Sequence, residues 1–404
     1  MSSSTTSQAT IVRELIKEEL PSLIKLRHDL HEHPELSYEE ERTSKVVQEE
    51  LQKCEIPFEA GLAGGTGVLG HLAGTSDRSV ALRADMDALP ILEETGLGYA
   101  SKTPGKMHAC GHDGHTTMLI GAARVLARMA RDNQPAKGVT FLFQPAEEGG
   151  AGAKRMCDDG ALDGSRIGTP VEAIFGQHGY TFAEVGLVKS RVGPMLAAAD
   201  TIEIHIHGTG GHAAMPHACV DPVVCAAAII QSLQSIVSRN TDPLDSVVIT
   251  ITQLKAGDAF NVIPDTVTIR GTVRSLREST REAVEERIKT LAAGIANAHG
   301  CSAESNFVRG YPITANDEAA VARFEQVAGS VLGSERVQPL EDPVMGGEDF
   351  SFYGEHVPAC FFFLGLLPKG ETQMPTLHNA RFDFNDEAMV TGIEVFVNLA
   401  LSSS

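Results

Sequence analysis

The densest run of chemically capable side chains is His108-Ala109-Cys110-Gly111-His112-Asp113-Gly114-His115. Thiolate sulfur and imidazole nitrogen together suit zinc or a similar first-row ion. Cys110 and His112 stand two apart in a Gly-containing turn, so both can point into one pocket. The same residues would also make an ordinary helix N-terminus, with Asp113 as cap and hydrogen-bonded buried imidazoles. A second cluster, Gln144-Pro145-Ala146-Glu147-Glu148-Gly149-Gly150, sets two carboxylates side by side. Like charges this close raise one another's pKa unless a cation is present. That suits a division of labour in which one carboxylate binds metal and its neighbour moves a proton. The plain alternative is a solvated acidic turn in a chain with 53 acidic residues. Asp85-Met86-Asp87 forms a third cluster, either a strand-end turn or a carboxylate steering a metal-bound imidazole. His178 and His378, each taken singly, read as structural. Weight comes from convergence, because the metal-ligand types all fall at expected loops of one sheet domain.

These groups need elements to hold them. Apolar runs at residues 80–82, 139–143 and 173–175 read as short buried strands, each followed by polar residues. Helical periodicity covers residues 11–30, where Pro21 should break the helix or open a second one, and also 43–51 and 115–129. Buried strands alternating with helices predict an α/β sheet covered on both faces. Its sites should lie past the carboxyl ends of the strands. From about residue 190 the texture changes. Half-polar strands are expected at 201–207, 246–252, 267–273 and 302–308, with helices at 222–237 and 279–298. That describes a smaller α+β unit whose four-stranded sheet has one solvated face. Buried runs return after Gly310-Tyr311-Pro312, notably at 360–364. The predicted domains are therefore a discontinuous one, residues 1–190 and 310–404, and an inserted one, residues 191–309.

Composition bounds the partners. The 404 residues carry 33 Lys plus Arg against 53 Asp plus Glu, a formal charge of 33 − 53 = −20. Such a surface repels nucleic acid, and 42% hydrophobic residues exclude a mainly disordered chain. The seven cysteines show no paired spacing and read as reduced thiols, which predicts a cytoplasmic protein. The Ser/Thr-rich start has no basic-then-apolar pattern of a signal peptide. No run approaches the ~18 apolar residues of a membrane span.

Nine segments then run in order over residues 11–400. They are His31-Glu32-His33-Pro34-Glu35-Leu36, Arg83-Ala84-Asp85-Met86-Asp87-Ala88-Leu89-Pro90, the His108 to His115 run, the Gln144 to Gly150 run, Gly210-Gly211-His212-Ala213-Ala214-Met215-Pro216-His217, Asn261-Val262-Ile263-Pro264-Asp265, Gly271-Thr272-Val273-Arg274, Gly347-Glu348-Asp349-Phe350 and Leu377-His378. In this the chain resembles the M20 metallopeptidase superfamily, specifically the amidohydrolase branch of hippurate hydrolase, bacterial N-acyl-amino-acid amidohydrolases and plant auxin-conjugate hydrolases. The resemblance implies a catalytic domain with a mixed, mainly parallel sheet and a smaller lid domain. It implies Cys110, His112, Glu148, His178 and His378 as ligands of two divalent ions (zinc, manganese, cobalt or nickel), with Cys110 where other branches carry a bridging Asp. Glu147 would be the general base and Asp87 the orienting carboxylate. His212 would stabilise the oxyanion, reaching the partner subunit's site in a homodimer built through the lid, possibly within a tetramer. Asn261 and Arg274 would engage the substrate's carboxylate; a plain strand salt bridge is the other reading of Arg274. Two departures stand out. Asp85 occupies a position where other branches have a metal-binding His, and His178 follows a longer 158–170 connection than the family pattern suggests.

The implied reaction is hydrolysis of the amide of an N-acyl amino acid; a dipeptidase or aminoacylase of the same superfamily is the nearest alternative. Two rivals come from other classes. A cysteine hydrolase would use Cys110 as nucleophile and His112 as base, and a catalytically silent member would serve as a binding or scaffold protein. Neither nucleic acid nor membrane is an expected partner.

Overall fold

In the computed structural model the described residues are 8–402, so the Ser/Thr-rich first seven residues and the last two serines lie outside them. The chain forms two compact units. The first comprises the described residues of Met1–Met195, Ala315–Glu341 and Asp349–Ser404; the second comprises Leu196–Thr314 and Asp342–Glu348. The short 342–348 segment goes with the second unit because Ala197 N–H donates to Val344 O at 3.1 Å and Gly346 O at 2.9 Å.

The first unit is built on an eight-stranded sheet. Its strands include β1 (Phe58–Leu62), β2 (Gly67–Leu72), β3 (Ser79–Asp85), β4 (Gly138–Gln144), β5 (Val171–Glu184) and β6 (Val188–Ser190). The spatial order is β1-β2-β4-β3-β5, then Ala359–Leu367, β6 and Val337–Pro339. The centre is parallel, through β4–β3, β3–β5 and β5 with Ala359–Leu367. The β1–β2, β2–β4 and Ala359–Leu367–β6 pairs are antiparallel. β3, β4 and Ala359–Leu367 are buried along their whole length, as parallel strands with helices on both faces must be. Helices α1 (Gln8–Glu32), α2 (Glu41–Lys53) and α3 (His112–Ala130) share one core with Glu318–Leu332 and Ala388–Leu401.

Two local expectations change. Helix α1 runs unbroken through Pro21. Pro21 and Lys17, whose carbonyl loses its partner, are both exposed, so water can take the lost hydrogen bond. β5 does not stop near residue 175 but continues to Glu184. Its partner Ala359–Leu367 carries it onward, pairing Phe363 with His178 and Leu364 with Gly179. His178 therefore sits inside a strand, not in a loop after one.

The second unit is a four-stranded antiparallel sheet in the order Val247–Ala256, Thr266–Ser275, Ala198–His207, Ser302–Tyr311. Ile202, Ile204, Ile206, Ile269 and Val273 face the helices Pro222–Ser235 and Glu278–Ala298. The other face is solvent-exposed and mainly polar, with Arg270 bridging to Glu203 at 2.7 Å, though Val248 and Val308 are exposed there. Asp221 caps the first helix by accepting from Val223 N–H at 2.8 Å. The combined helix Pro222–Asn240, 19 residues, is long and apolar enough by length and composition to cross a membrane, although the sequence shows no continuous apolar run there. Its outer side mixes Gln231, Gln234 and Ser238 with exposed Val223 and Val224, while Cys225, Ala226, Ile229, Leu233 and Ile236 are buried in the unit's core.

Candidate metal centre

The centre is assembled from chain segments that leave the sheet at one end. β3 delivers Asp85 and, two residues on, Asp87; β4 delivers Gln144 and the 145–151 turn. That turn holds one irregular helical turn, Glu147–Gly150: Ala146 and Ala151 on either side have φ of 55° and 54°, and Glu148 within it has ψ of 69°. Non-glycine residues hold such angles only when their surroundings over-determine them. Here Glu40 accepts from Ala146 N–H at 2.9 Å, and the two oxygens of Asp87 accept from Glu147 and Glu148 N–H at 3.0 Å each. Ser37 donates to Asp87 at 2.6 Å. Asp87 thus sets the pose of both carboxylates that follow it. On the α3 side Gly111, with φ of 90°, turns the chain so that His112 opens the helix. A Cβ at Gly111 would also press on Phe384 at 3.0 Å.

The ligand-type atoms converge in overlapping sets. Cys110, His112 and His178 form one, Cys110, Glu148 and His378 another, and His112, Glu147 and Glu148 a third; within each, the atoms lie within 4.8 Å of one another. Cys110 and His112 each belong to two of these sets, so the sets form one continuous cluster large enough for two ions. Hydrogen bonds fix the imidazoles in the tautomer a metal needs. His112 Nδ1 lies 2.8 Å from the Asp87 carbonyl, leaving Nε2 buried with no hydrogen-bond partner. His178 Nδ1 lies 2.9 Å from the Gly179 carbonyl, and its Nε2 faces Cys110 Sγ at 3.3 Å. Since a carbonyl only accepts, each Nδ1 carries a proton, and Nε2 is the nitrogen that can present a lone pair to a cation. Glu148 Oε1 is likewise buried and without a hydrogen bond; His378 Nε2 lies 3.1 Å from it, outside bonding geometry. His378 itself has φ of 62°, and its N–H is anchored on the Ala109 carbonyl at 2.8 Å. Two buried lone-pair atoms without hydrogen bonds, beside a buried thiol, the buried His178 and the exposed His378, are what a divalent cation satisfies.

Electrostatics point the same way. Burial disfavours a charged His112, but Asp85, Asp87 and Glu148 outweigh it and push the imidazole up to about 10. Burial also raises Asp87, yet its bonds from His112 and Ser37 hold it below the usual carboxylate range. The site thus attracts positive charge, and a divalent ion competes with the proton for it. Burial, then Glu148 and Glu147, push the Cys110 thiol well above its ordinary value. A nucleophilic cysteine needs the opposite shift, so the cysteine-hydrolase reading loses its basis, whereas a bound cation would deprotonate the thiol outright.

A second buried network lies behind the ligands and was not singled out from the sequence. Arg83 bridges Asp85 at 2.7 Å and Asp349 at 2.9 Å, and its Nε donates to Gln144 at 2.8 Å. Asp349 also accepts from Gln144 at 2.8 Å and from Ala153 N–H at 2.9 Å. Its own N–H points at Glu147 Oε1, 3.4 Å away. Asp349 is thus a fully buried clamp on Arg83 and Gln144. Arg83 and Asp349 do lie in the quoted motifs; only their contact across 266 positions was invisible.

The remaining expected residues lie in the second unit. His212 and Val262 pair across a two-residue ladder, and Ala213 N–H donates to the Asn261 carbonyl at 3.0 Å, so His212 and Asn261 share one end of that unit. Arg274 is elsewhere. The ladder pairs Thr266 with His207 near His212, and Arg274 with Ala199 at the far end. At ~3.3 Å per residue that separation is about 26 Å. No salt bridge holds Arg274 among the described residues; its guanidinium donates to the Val273 carbonyl at 3.2 Å.

A mixed sheet whose strand ends carry thiol, imidazole and paired carboxylates defines a metallohydrolase. Over residues 81–402 the sequence matches the model of peptidase family M20/M25/M40. It is 42% identical over 382 residues to IAA-amino acid hydrolase ILR1-like 4 of Arabidopsis thaliana, covering 94% of this chain and 84% of that protein. It is 40% identical over 379 residues to hippurate hydrolase of Campylobacter jejuni, covering 93% and 95%. The structure superimposes on the YXEP protein of Bacillus subtilis, described as a dinuclear metal binding peptidase from the M20 family, with a TM-score of 0.82, 36% identity and coverage of 95% and 98%. The chain belongs to the M20 family and is a hydrolase acting on amide bonds.

Proposed function

We propose that the protein cleaves N-acyl amino acids to a carboxylic acid and a free amino acid, using two divalent ions held by Cys110, His112, Glu148, His178 and His378. The observation that carries this is the overlap of two ligand sets at Cys110, with buried lone pairs of His112 and Glu148 left for a cation. Both relatives named above carry acyl-amino-acid substrates in their names, an indolyl conjugate and hippurate. When bound, the ions would polarise the scissile carbonyl and lower the pKa of water toward ~7.

The protein's own groups supply the rest. Glu147 takes the proton of the attacking water and hands it to the departing amine. Asp87 holds the Glu147 and Glu148 backbone, so the base is aimed before substrate arrives. His212 offers a donor for the developing oxyanion, and Asn261 or Arg274 receives the substrate carboxylate, Arg by its planar fork. Because His212 lies in a separate short ladder just past the His207 end of the four-stranded sheet and Arg274 at that sheet's Ala199 end, a single small substrate cannot touch both from one chain. We assign His212 and Asn261 to the partner subunit's substrate in a homodimer. A ligating Cys110 must stay reduced, which fits a cytoplasmic enzyme.

The decisive experiment is Glu147→Gln. Turnover of a panel of N-acyl amino acids should fall by at least about 10³-fold, while metal content stays unchanged by elemental analysis. Retained turnover removes Glu147 from its role. A panel in which peptides are cut and every acyl amino acid is refused would overturn the substrate class.

A further inference from the structure

His178, the ligand with the weakest sequence signal, is held by a buried chain of groups that includes His115. β3 pairs with β5 only as far as Arg83 with Gly176. Past that point β5 has lost its neighbour on the β3 side, and a buried N–H there needs an acceptor. His115, one turn into α3, supplies it: Gly179 N–H donates to His115 Nε2 at 2.9 Å. A backbone N–H can only donate, so Nε2 is unprotonated and the His115 proton resides on Nδ1. Nδ1 faces Asp85 Oδ1 at 2.7 Å, and the other Asp85 oxygen is taken by Arg83 at 2.7 Å. Gly179 in turn presents its carbonyl to His178 Nδ1. A Cβ on Gly179 would meet the end of the Leu366 side chain at 2.6 Å, so a larger residue there would require Leu366 to move. The His115 and His178 rings pack edge to face with centroids 4.6 Å apart.

We infer that His115, anchored by Asp85, is a positioning residue that fixes Gly179 and through it the tautomer and aim of His178. The Asp85 position thereby serves the centre indirectly: with both oxygens engaged, its carboxylate anchors an imidazole that in turn orients a ligand. This rests on the reading of His178 as a ligand, and the test separates the two.

The readout is Co²⁺ binding to metal-stripped protein, measured by competition with a chromophoric chelator and by the visible absorption of the Co²⁺–thiolate centre. Four variants are compared with wild type. His178→Ala removes the ligand. His115→Phe keeps the ring and loses both hydrogen bonds. His115→Asn keeps a donor toward Asp85 but cannot reach Gly179, and His115→Gln is long enough to offer Gly179 an acceptor. In the expected result His178→Ala loses one tight site, and His115→Phe and His115→Asn bind that ion about 10–100-fold more weakly with an altered spectrum. His115→Gln should return close to wild type. A merely structural His115 would lower the melting temperature and leave affinity and spectrum in place, and that result in His115→Asn overturns the inference even if His115→Phe fails to fold. If His178→Ala itself binds two ions as tightly as wild type, the ligand assignment fails instead.

Discussion

At the scale of single residues, the charged groups around the centre are as informative as the ligands. His31 in α1 is fully buried, with Nδ1 2.8 Å from Asp113, the residue after His112. Burial opposes its charge, but Asp113 outweighs it and pushes His31 up to about 9. A free histidine titrates near ~6.5, so the folded value is raised. The pair's stabilisation is therefore complete below about pH 6.5 and drains away as pH climbs through about 9, a loss of about 3 kcal/mol. Urea midpoints measured from pH 6 to 10 should fall across that window in wild type and change much less in His31→Gln. Equal slopes in the two proteins would exclude the pair as the cause. Residue types made Cys110, His112 and the Glu147–Glu148 pair legible early, because few structural roles need thiol, imidazole and paired acids together. Asp85, Arg83 and His115 were harder to see, since each acts only through a partner distant in sequence.

At the scale of elements, helix α3 is the part whose placement matters most, because its first turn carries His112, Asp113 and His115. Its glycines allow close approach: a Cβ on Gly114 would meet the Phe384 ring at 2.7 Å. Gly114→Ala should therefore cost about 1–3 kcal/mol through overpacking and weaken metal retention by displacing His112. Gly294, within the helix Glu278–Ala298, has nothing within 4 Å of its would-be Cβ. Gly294→Ala should stabilise the protein by about 0.5–1 kcal/mol through helix propensity alone. Thermal melts of both variants check the contrast; a neutral Gly114→Ala would show that the α3 contact yields more easily than its geometry says. Periodicity located α3 and the strands well, since apolar spacing reflects burial directly. It missed the extension of β5 and the continuity of α1, where a neighbouring strand and a solvent-facing proline decided the outcome.

At the scale of the whole molecule, the proposed assignment of His212 to the partner subunit's substrate predicts that activity needs two chains. Co-expressed Glu147→Gln and His212→Ala chains, each inactive alone, should regain about a quarter of wild-type activity by random pairing into homodimers. Half the dimers would be mixed, and each mixed dimer would hold one intact site. No recovery, with mixed dimers demonstrated by mass, would place His212 and Glu147 in the same chain's site.

The sequence by itself determined the donor types, the alternation of strands and helices, and the insertion of a half-polar sheet. These follow from composition and local periodicity, which act over a few residues. Only the tertiary structure decided which lone pairs meet, that His178 lies within β5, that Asp349 clamps Arg83, and that Asp85 reaches Gly179 through His115. Those contacts join positions tens to hundreds of residues apart. The requirement that every buried polar group find a partner selects them, and it operates only once the chain has folded.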